Sequence, residues 1–274
     1  MPDQDRELVD AARAGDRKAL EQLLARHEGR VFRFGKKMCR HEEDARDVLQ
    51  ETLIAAVRTL PEFRSASSVS TWLYSIARSF CLKKRRASKF APAHVDSLEA
   101  NAEEAATLPH PGRSPEEDAA GRQLQAALDE AIGALEPMYR EVLVLRDVEG
   151  LAASEVAEIL GLSVEAVKSR LHRARVSVRD RVAPVLGHGP ETASPGTGCR
   201  DVVELFSRHL EGEIDGNTCA ELEKHLETCA VCRGRCDSLR ATLSLCRRAG
   251  DTPVPPAVEQ SVRQALRDFL DARG

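Results

Sequence analysis

The stretch VEGLAASEVAEILGLSVEAVKSRLHRARVSVRDRV, residues 148–182, decides the fold. It reads as two helices joined by a tight turn. Val156, Ile159 and Leu160 give the first helix an apolar face. Gly161 ends that helix, because a residue without a Cβ takes the left-handed conformation at no steric cost. Ser163 is placed to cap the next helix, and Glu165 in its first turn suits the helix dipole. Val164, Val167, Leu171, Ala174 and Val178 recur at helical spacing and are expected to face inward. Lys168, Ser169, Arg170, His172, Arg173 and Arg175 are left on the remaining faces. A short helix, a glycine turn and a basic second helix are what a DNA-binding helix-turn-helix needs. A helical hairpin with a solvated basic face is the plainer alternative. The agreement of cap, breaker, stripe and charge favours the DNA reader.

Composition extends the helical reading. The chain has 274 residues with only 4% aromatics, and Ala, Leu, Arg and Glu are abundant, which favours small helical bundles over sheets. The net charge of −4 conceals segregation. Arg78, Lys83, Lys84, Arg85, Arg86 and Lys89 form a basic block without an acid. Residues 96–118 set Asp96, Glu99, Glu103, Glu104, Glu116, Glu117 and Asp118 against Arg113 alone. Local patches therefore say more about partners than the net charge does. No apolar run approaches a membrane span, and the polar N-terminus does not read as a signal peptide, so a cytoplasmic location and no membrane partner are expected.

The fold class expected is all-α. Residues 1–90 form one helical unit, with a long amphipathic helix through Val48, Leu49, Leu53, Ala56, Val57 and Leu60 that Pro61 ends. Ser70 or Thr71 can cap a further helix from Trp72 to about Arg86. Residues 91–118 hold four prolines and many acids, and read as a flexible linker. Residues 119–186 form a second helical unit around the helix-turn-helix. Residues 187–198, GHGPETASPGTG, are a second linker. Residues 199–249 form a small cysteine-rich helical unit. Residues 250–274 form a tail in which Val258, Val262, Leu266, Phe269 and Leu270 mark a short amphipathic helix.

DARDVLQETLIAAVRTLPEF (44–63) followed by TWLYSIARSFCLKKRR (71–86) resembles region 2 of bacterial RNA polymerase sigma factors of the extracytoplasmic function (ECF) group. The helix-turn-helix, VKSRLHRAR above all, resembles region 4 of the same family. Residues 1–90 would then be region 2, for core binding and −10 recognition and melting, and 119–186 region 4, for the −35 element. The resemblance implies that Asp47, Gln50 and Glu51, on the polar side of their helix, bind the clamp coiled coil of core RNA polymerase, and that region 4 meets its flap. Spacing alone would make those three an ordinary solvated face.

The resemblance also implies that Arg64, Trp72, Tyr74, Arg78, Ser79, Lys83, Lys84, Arg85 and Arg86 handle the opened −10 element. Aromatics stack on bases and cations follow phosphates. By spacing alone, Trp72 and Phe80 read as core residues. The loop from Phe63 to Ser70 lies where the family holds an extruded base. Two positions depart from the commonest pattern: Ser79 stands for the usual Asn and Lys83 for the usual Asp, which affects sequence preference at −10. At the −35 side the implied contacts are Ser163, Glu165, Lys168, Ser169, Arg170 and Arg173. The acidic linker is either plain solvated chain or, by the family's pattern, a nucleic-acid mimic for the RNA channel.

Six of the eight cysteines lie beyond residue 198. In a reducing compartment such a cluster argues for metal or redox chemistry before disulfides. HLETCAVC gives His225-x3-Cys229-x2-Cys232, three soft ligands on one side of a helix end. Zinc wants a fourth. Cys199 is the better candidate, because LFSRHLEGEID reads as a helix and turn returning the chain toward His225. Cys219 is the other candidate, and Cys236, one turn beyond Cys232, is a further alternate. The segment resembles the zinc-binding anti-sigma domain. Cys236, Leu239, Leu243 and Cys246 form one stripe, so the two cysteines read as core, with a second soft-metal site or an oxidisable thiol pair as alternatives.

The expected function is an ECF sigma factor regulated in cis by a zinc-, metal- or redox-responsive C-terminal domain that touches the sigma domains. No nucleophile–base grouping or phosphate-binding glycine loop suggests an enzyme. The alternatives are a metal-sensing helix-turn-helix regulator without sigma activity, and a protein that sequesters another regulator through its zinc domain.

Overall fold

Asp16 starts a long helix by accepting the backbone N–H groups of Lys18 and Ala19 at 2.9 and 3.2 Å. Helices of this kind build the whole computed structural model, which describes residues 2–39, 41–63, 67–90, 115–187, 199, 201–250 and 253–272. All regular structure among the described residues is helical. Arg64 and the linker residues 91–114 and 188–198 lie outside them.

The first group is α1 (Pro2–Arg13), α2 (Arg17–Met38), α3 (Glu42–Thr59) and α4 (Val69–Phe90). Their inward residues, among them Leu23, Leu24, Phe32, Phe34, Val48, Leu49, Leu53, Leu73 and Tyr74, are at most 2% exposed. Phe34 and Tyr74 meet edge to face at 5.4 Å. Gly35 lets α2 approach α3 closely, since a Cβ there would lie 3.3 Å from the Ala45 carbonyl oxygen.

The second group is α5 (Pro115–Gly133), α6 (Pro137–Leu143) running into a wider turn at Val144–Val148, α7 (Ala153–Leu160) and α8 (Val164–Val182). Gly161, at φ +66°, closes α7, and the Ser163 hydroxyl accepts the Ala166 N–H at 3.1 Å. That cap is worth about 1 kcal/mol. Val156, Val167, Leu171, Ala174 and Val178 are fully buried. α5 begins four residues earlier than the sequence suggested, inside the stretch read as linker. A proline opens it, where the missing N–H costs no hydrogen bond.

The third group is α9 (Val202–Leu210), α10 (Gly216–Thr228) and α11 (Ala230–Ala249), with its own small core of Val202, Val203, Phe206, Leu222, Cys232, Cys236, Leu239 and Leu243. The single stripe on α11 serves two cores. Cys236 and Leu239 belong to this one, while Leu245, Cys246 and Ala249 join the larger core of the first two groups. The end of α11 is pressed so closely on the second group that a Cβ on Gly250 would meet the Val148 carbonyl oxygen at 2.5 Å.

α12 (Pro256–Asp271) is the amphipathic helix at the end of the chain, and it lies on α2 and α3. Val258, Val262 and Leu266 point into the main core. Arg263 reaches Glu28 at 2.6 Å, Arg17 reaches Asp271 at 2.6 Å, and the Arg58 guanidinium sits 5.0 Å from the Phe269 ring centre.

Candidate DNA-reading surfaces and metal centre

The helical repeat of α3 turns Val48, Leu49, Thr52 and Leu53 inward and leaves Asp47, Gln50 and Glu51 half-buried on the outer side. Lys84 of α4 crosses to α3, with its Nζ 2.6 Å from Asp47 and 3.3 Å from Asp44. Asp47 and Lys84, singled out separately in the sequence, are thus one ion pair.

On α4, Trp72 is half-buried and stacks on Phe63 at 4.7 Å. Ser79, Lys83, Arg85 and Arg86 are exposed. Tyr74 is different, at 1% exposure. Its hydroxyl donates to Glu149 at 2.7 Å. No base can reach that ring in this arrangement. Arg78 likewise donates to Glu141 at 3.1 Å, and the hydroxyls of Ser68 and Thr71 donate to Glu155 at 3.1 and 3.2 Å. Glu141, Glu149 and Glu155 all come from the second helical group. Its acids thus line one side of α4 and the residues just before it.

Glu149 is the most enclosed of these, with its side chain 1% exposed and Arg33 at 3.7 Å. Burial holds its carboxyl above the ordinary 4.5, against the pull of Tyr74 and Arg33. The folded state therefore binds this proton more tightly than the unfolded chain. The stabilisation is complete below pH 4.5 and is lost as pH rises through the folded value. We expect Glu149→Gln to match the parent at the acid end and to become progressively more stable than it as pH rises, then level off. Denaturant titrations of both proteins across that range check this, and a difference that shrinks with pH would refute it.

On α8, Ser163, Glu165, Ser169 and Arg173 are exposed and Lys168 and Arg170 half-buried. Hydrogen bonds from its own N–H and from Ser163 hold the Glu165 carboxyl below its usual value. Arg173 reaches the Tyr139 hydroxyl at 3.4 Å. Lys168 is paired with Glu213, in the turn after α9, at 3.0 Å.

Arg175 is the residue that sequence reasoning missed. The basic pattern of α8 puts it on an outer face, and the structure buries it to 3%. Its Nε and Nη2 donate to the two oxygens of Asp147 at 2.8 and 2.6 Å. Nη2 also donates to Glu211 at 2.8 Å and Nη1 to the Ser207 hydroxyl at 3.1 Å. Glu211 in turn accepts from Arg146 at 3.1 Å. The signal was available: Arg175 follows Leu171 by four and precedes Val178 by three, on the apolar stripe.

The candidate metal cluster is assembled from three places. Cys199 precedes α9, His225 sits on the last turn of α10, and Cys229 and Cys232 open α11. Their ligand atoms all lie within 4.8 Å of one another. The Sγ atoms of Cys199 and Cys229 are 3.9 Å apart. His225 Nε2 is buried with no hydrogen-bond partner, which is the condition of a ligand atom waiting for a cation. Backbone N–H groups at the start of α11, that of Cys232 first, draw the Cys229 thiol below its usual value. Three sulfurs and one imidazole suit tetrahedral zinc. The alternates are elsewhere: Cys219 lies 3.6 Å from His209, and Cys236 is fully buried in the small core.

Family models match the chain three times: Sigma-70 region 2 over residues 23–90, Sigma-70 region 4 over 125–178, and a zinc-finger family over 199–233. The chain is 30% identical over 184 residues to the ECF RNA polymerase sigma-E factor of Haemophilus influenzae, covering 66% of this chain and 97% of that protein. It is an ECF sigma factor. The ECF RNA polymerase sigma factor SigM of Mycobacterium tuberculosis is 33% identical over 185 residues, 67% of this chain and 85% of that one. Among solved structures, CnrH in complex with the cytosolic domain of CnrY shares 27% identity at a TM-score of 0.49, covering 68% of this chain and 99% of that one. Sigma factors bind core RNA polymerase and promoter DNA, and they are initiation factors rather than enzymes. Among the described residues no helix is long and apolar enough to cross a membrane.

Proposed function

We propose that this sigma factor is held closed in cis by its C-terminal zinc unit, and that opening uncovers α8 directly and α4 once the second helical group, released from α11, moves off it. One observation carries the reading. Glu211 and Glu213 of the turn after α9 sit on Arg175 and Lys168 of α8, the helix that resembles the −35 reader. In this reading residues 1–90 are region 2, with Asp47, Gln50 and Glu51 meeting the polymerase clamp. Trp72, Tyr74, Arg78, Ser79 and Lys83–Arg86 receive the melted −10 strand. Residues 119–186 are region 4, in which Ser163, Glu165, Lys168, Ser169, Arg170 and Arg173 face the −35 duplex. Residues 199–249 are the regulatory unit, and α12 adds a second hold by lying along α3.

Zinc is the cation that Cys199, His225, Cys229 and Cys232 would hold. Bound there, it would tie the segment before α9 to the junction of α10 and α11, and so fix the turn that carries Glu211. Cys229→Ser and Cys232→Ser are expected to lose most of the bound metal, measured by elemental analysis of the purified chain. Cys219→Ser and Cys236→Ser should retain it. Retention in the first pair would remove the site.

The functional test compares the full chain with one ending at residue 187, each mixed with core RNA polymerase and promoter template. The shorter chain should form holoenzyme and start transcription at concentrations where the full chain is silent. Equal activity, or loss of activity on truncation, would overturn control by closure.

A further inference from the structure

We propose that Cys39 and Cys81 form an oxidation site within the first helical group, where a peroxide converts the pair to a disulfide that staples the end of α2 to α4. Neither cysteine belongs to the metal cluster or to the DNA-reading surfaces. Their sulfurs lie 3.8 Å apart, with the two residues only 8% and 5% exposed. A disulfide needs about 2.05 Å between sulfurs, so a shift of under about 2 Å closes the bond. Cys39 can supply it, because it caps the end of α2 on extended backbone (φ −100°, ψ 130°) rather than inside the helix.

The thiols are buried yet reachable. Both line a cleft of about 450 Å³ together with Met38, Asp44, Lys84 and Arg140. A small uncharged peroxide fits such an opening. The cleft also sorts the roles of the two sulfurs. The hydrogen bond shared with Cys81, helped by Lys84 and Arg140, draws the Cys39 thiol below its usual value, and the same contact together with burial pushes Cys81 up. Cys39, the more exposed of the two and the one at a helix end on extended backbone, is assigned as the attacking sulfur and Cys81 as the resolving thiol.

The chemistry balances with a peroxide as oxidant. The Cys39 sulfur attacks one peroxide oxygen, the O–O bond breaks, and hydroxide leaves and takes up the proton given by the Cys39 thiol. The resulting sulfenic acid is attacked by Cys81. The S–S bond forms, the S–O bond breaks, and a second water departs with the Cys81 proton. Two thiols and one hydrogen peroxide give one disulfide and two waters. The product ties α2 to the turn of α4 just ahead of Lys84, the residue that pairs with Asp47 and Asp44.

The test treats the full zinc-loaded chain with hydrogen peroxide, blocks remaining thiols with an alkylating agent, and maps tryptic peptides by mass spectrometry without reductant. Peptides 38–40 and 79–83 should appear joined, two hydrogens lighter than their sum, and separate again after dithiothreitol. The joined species should vanish in Cys39→Ser and in Cys81→Ser, while zinc release by peroxide stays as in the parent. The mapping of the parent chain needs no variant to fold. Cys39 and Cys81 recovered as separately alkylated or separately oxidised peptides, or joined only to cysteines beyond residue 198, would overturn the proposal. None of these outcomes bears on closure by the C-terminal unit.

Discussion

Replacing Arg175 with alanine is expected to destabilise the chain by about 3–5 kcal/mol, the cost of breaking a buried ion pair by removing one partner. The side chain is 3% exposed, and Asp147 and Glu211 beside it are 7% and 5% exposed. Without the guanidinium, Asp147 loses both of its short hydrogen bonds and stays buried. Glu211 keeps only Arg146. The loss should be insensitive to added salt, because a desolvated network is screened far less than a surface pair. Arg173→Ala, on the exposed side of the same helix, should leave stability nearly unchanged. Denaturant unfolding of both variants at low and high salt decides the matter. A loss below about 1 kcal/mol for Arg175→Ala would mean that water reaches this network.

The second large effect belongs to Glu211→Arg. The substitution removes the partner of Arg175 and Arg146 and places a third cation against them. Like charges facing one another across a desolvated contact cost several kcal/mol. About 2.8 kcal/mol is already a 100-fold shift between closed and open forms. If the seam between α8 and α9 holds the reader shut, transcription by the full-length variant should rise toward that of the chain ending at residue 187. Amide exchange in α9 should quicken, while exchange in α2 and α3 stays as it was. A variant that keeps its zinc and its helicity yet remains silent would show that closure is held elsewhere, with α12 on α3 the next surface to break.

The two effects differ in kind. Arg175 is shared between its own helical group and the C-terminal unit, so its loss weakens the reader as well as the closure. Glu211 belongs to the C-terminal unit alone, so reversing it separates the two. Comparing them isolates regulation from stability.

Much of the candidate site could be read along the chain because it is written in helical spacing. Gly161 and Ser163 announce a turn and a cap through their own backbone chemistry. His225, Cys229 and Cys232 lie on one side of a helix end through intervals of four and three. Cys199 is harder, 26 residues upstream of His225, and only the helix and turn that intervene point to it. Tyr74 shows where such reading stops. An aromatic beside a basic run suits a nucleic acid, and nothing within the neighbouring turns reveals Glu149, 75 residues on, waiting for its hydroxyl. The stripe of Cys236, Leu239, Leu243 and Cys246 is correct as a stripe, and yet its two ends enter different cores.

The sequence put the cap of α4 at Ser70 or Thr71, whereas the helix starts at Val69 and Ser68 accepts the Thr71 N–H. By itself, then, the sequence determined the main helices, the turn at Gly161 with its Ser163 cap, the order of the two sigma regions and four candidates for a metal site. Each depends on residues within a few turns of one another, where helical geometry fixes which side chains share a face. The tertiary structure decided which faces meet. It set Glu141, Glu149 and Glu155 against α4, brought Arg175 under Glu211, laid α12 across α3 and placed Cys39 beside Cys81. Those pairings join residues far apart in the chain. A charge such as Arg175 can be buried only once its distant partners arrive to compensate it, so its role is a property of the assembled fold and not of its neighbours in sequence.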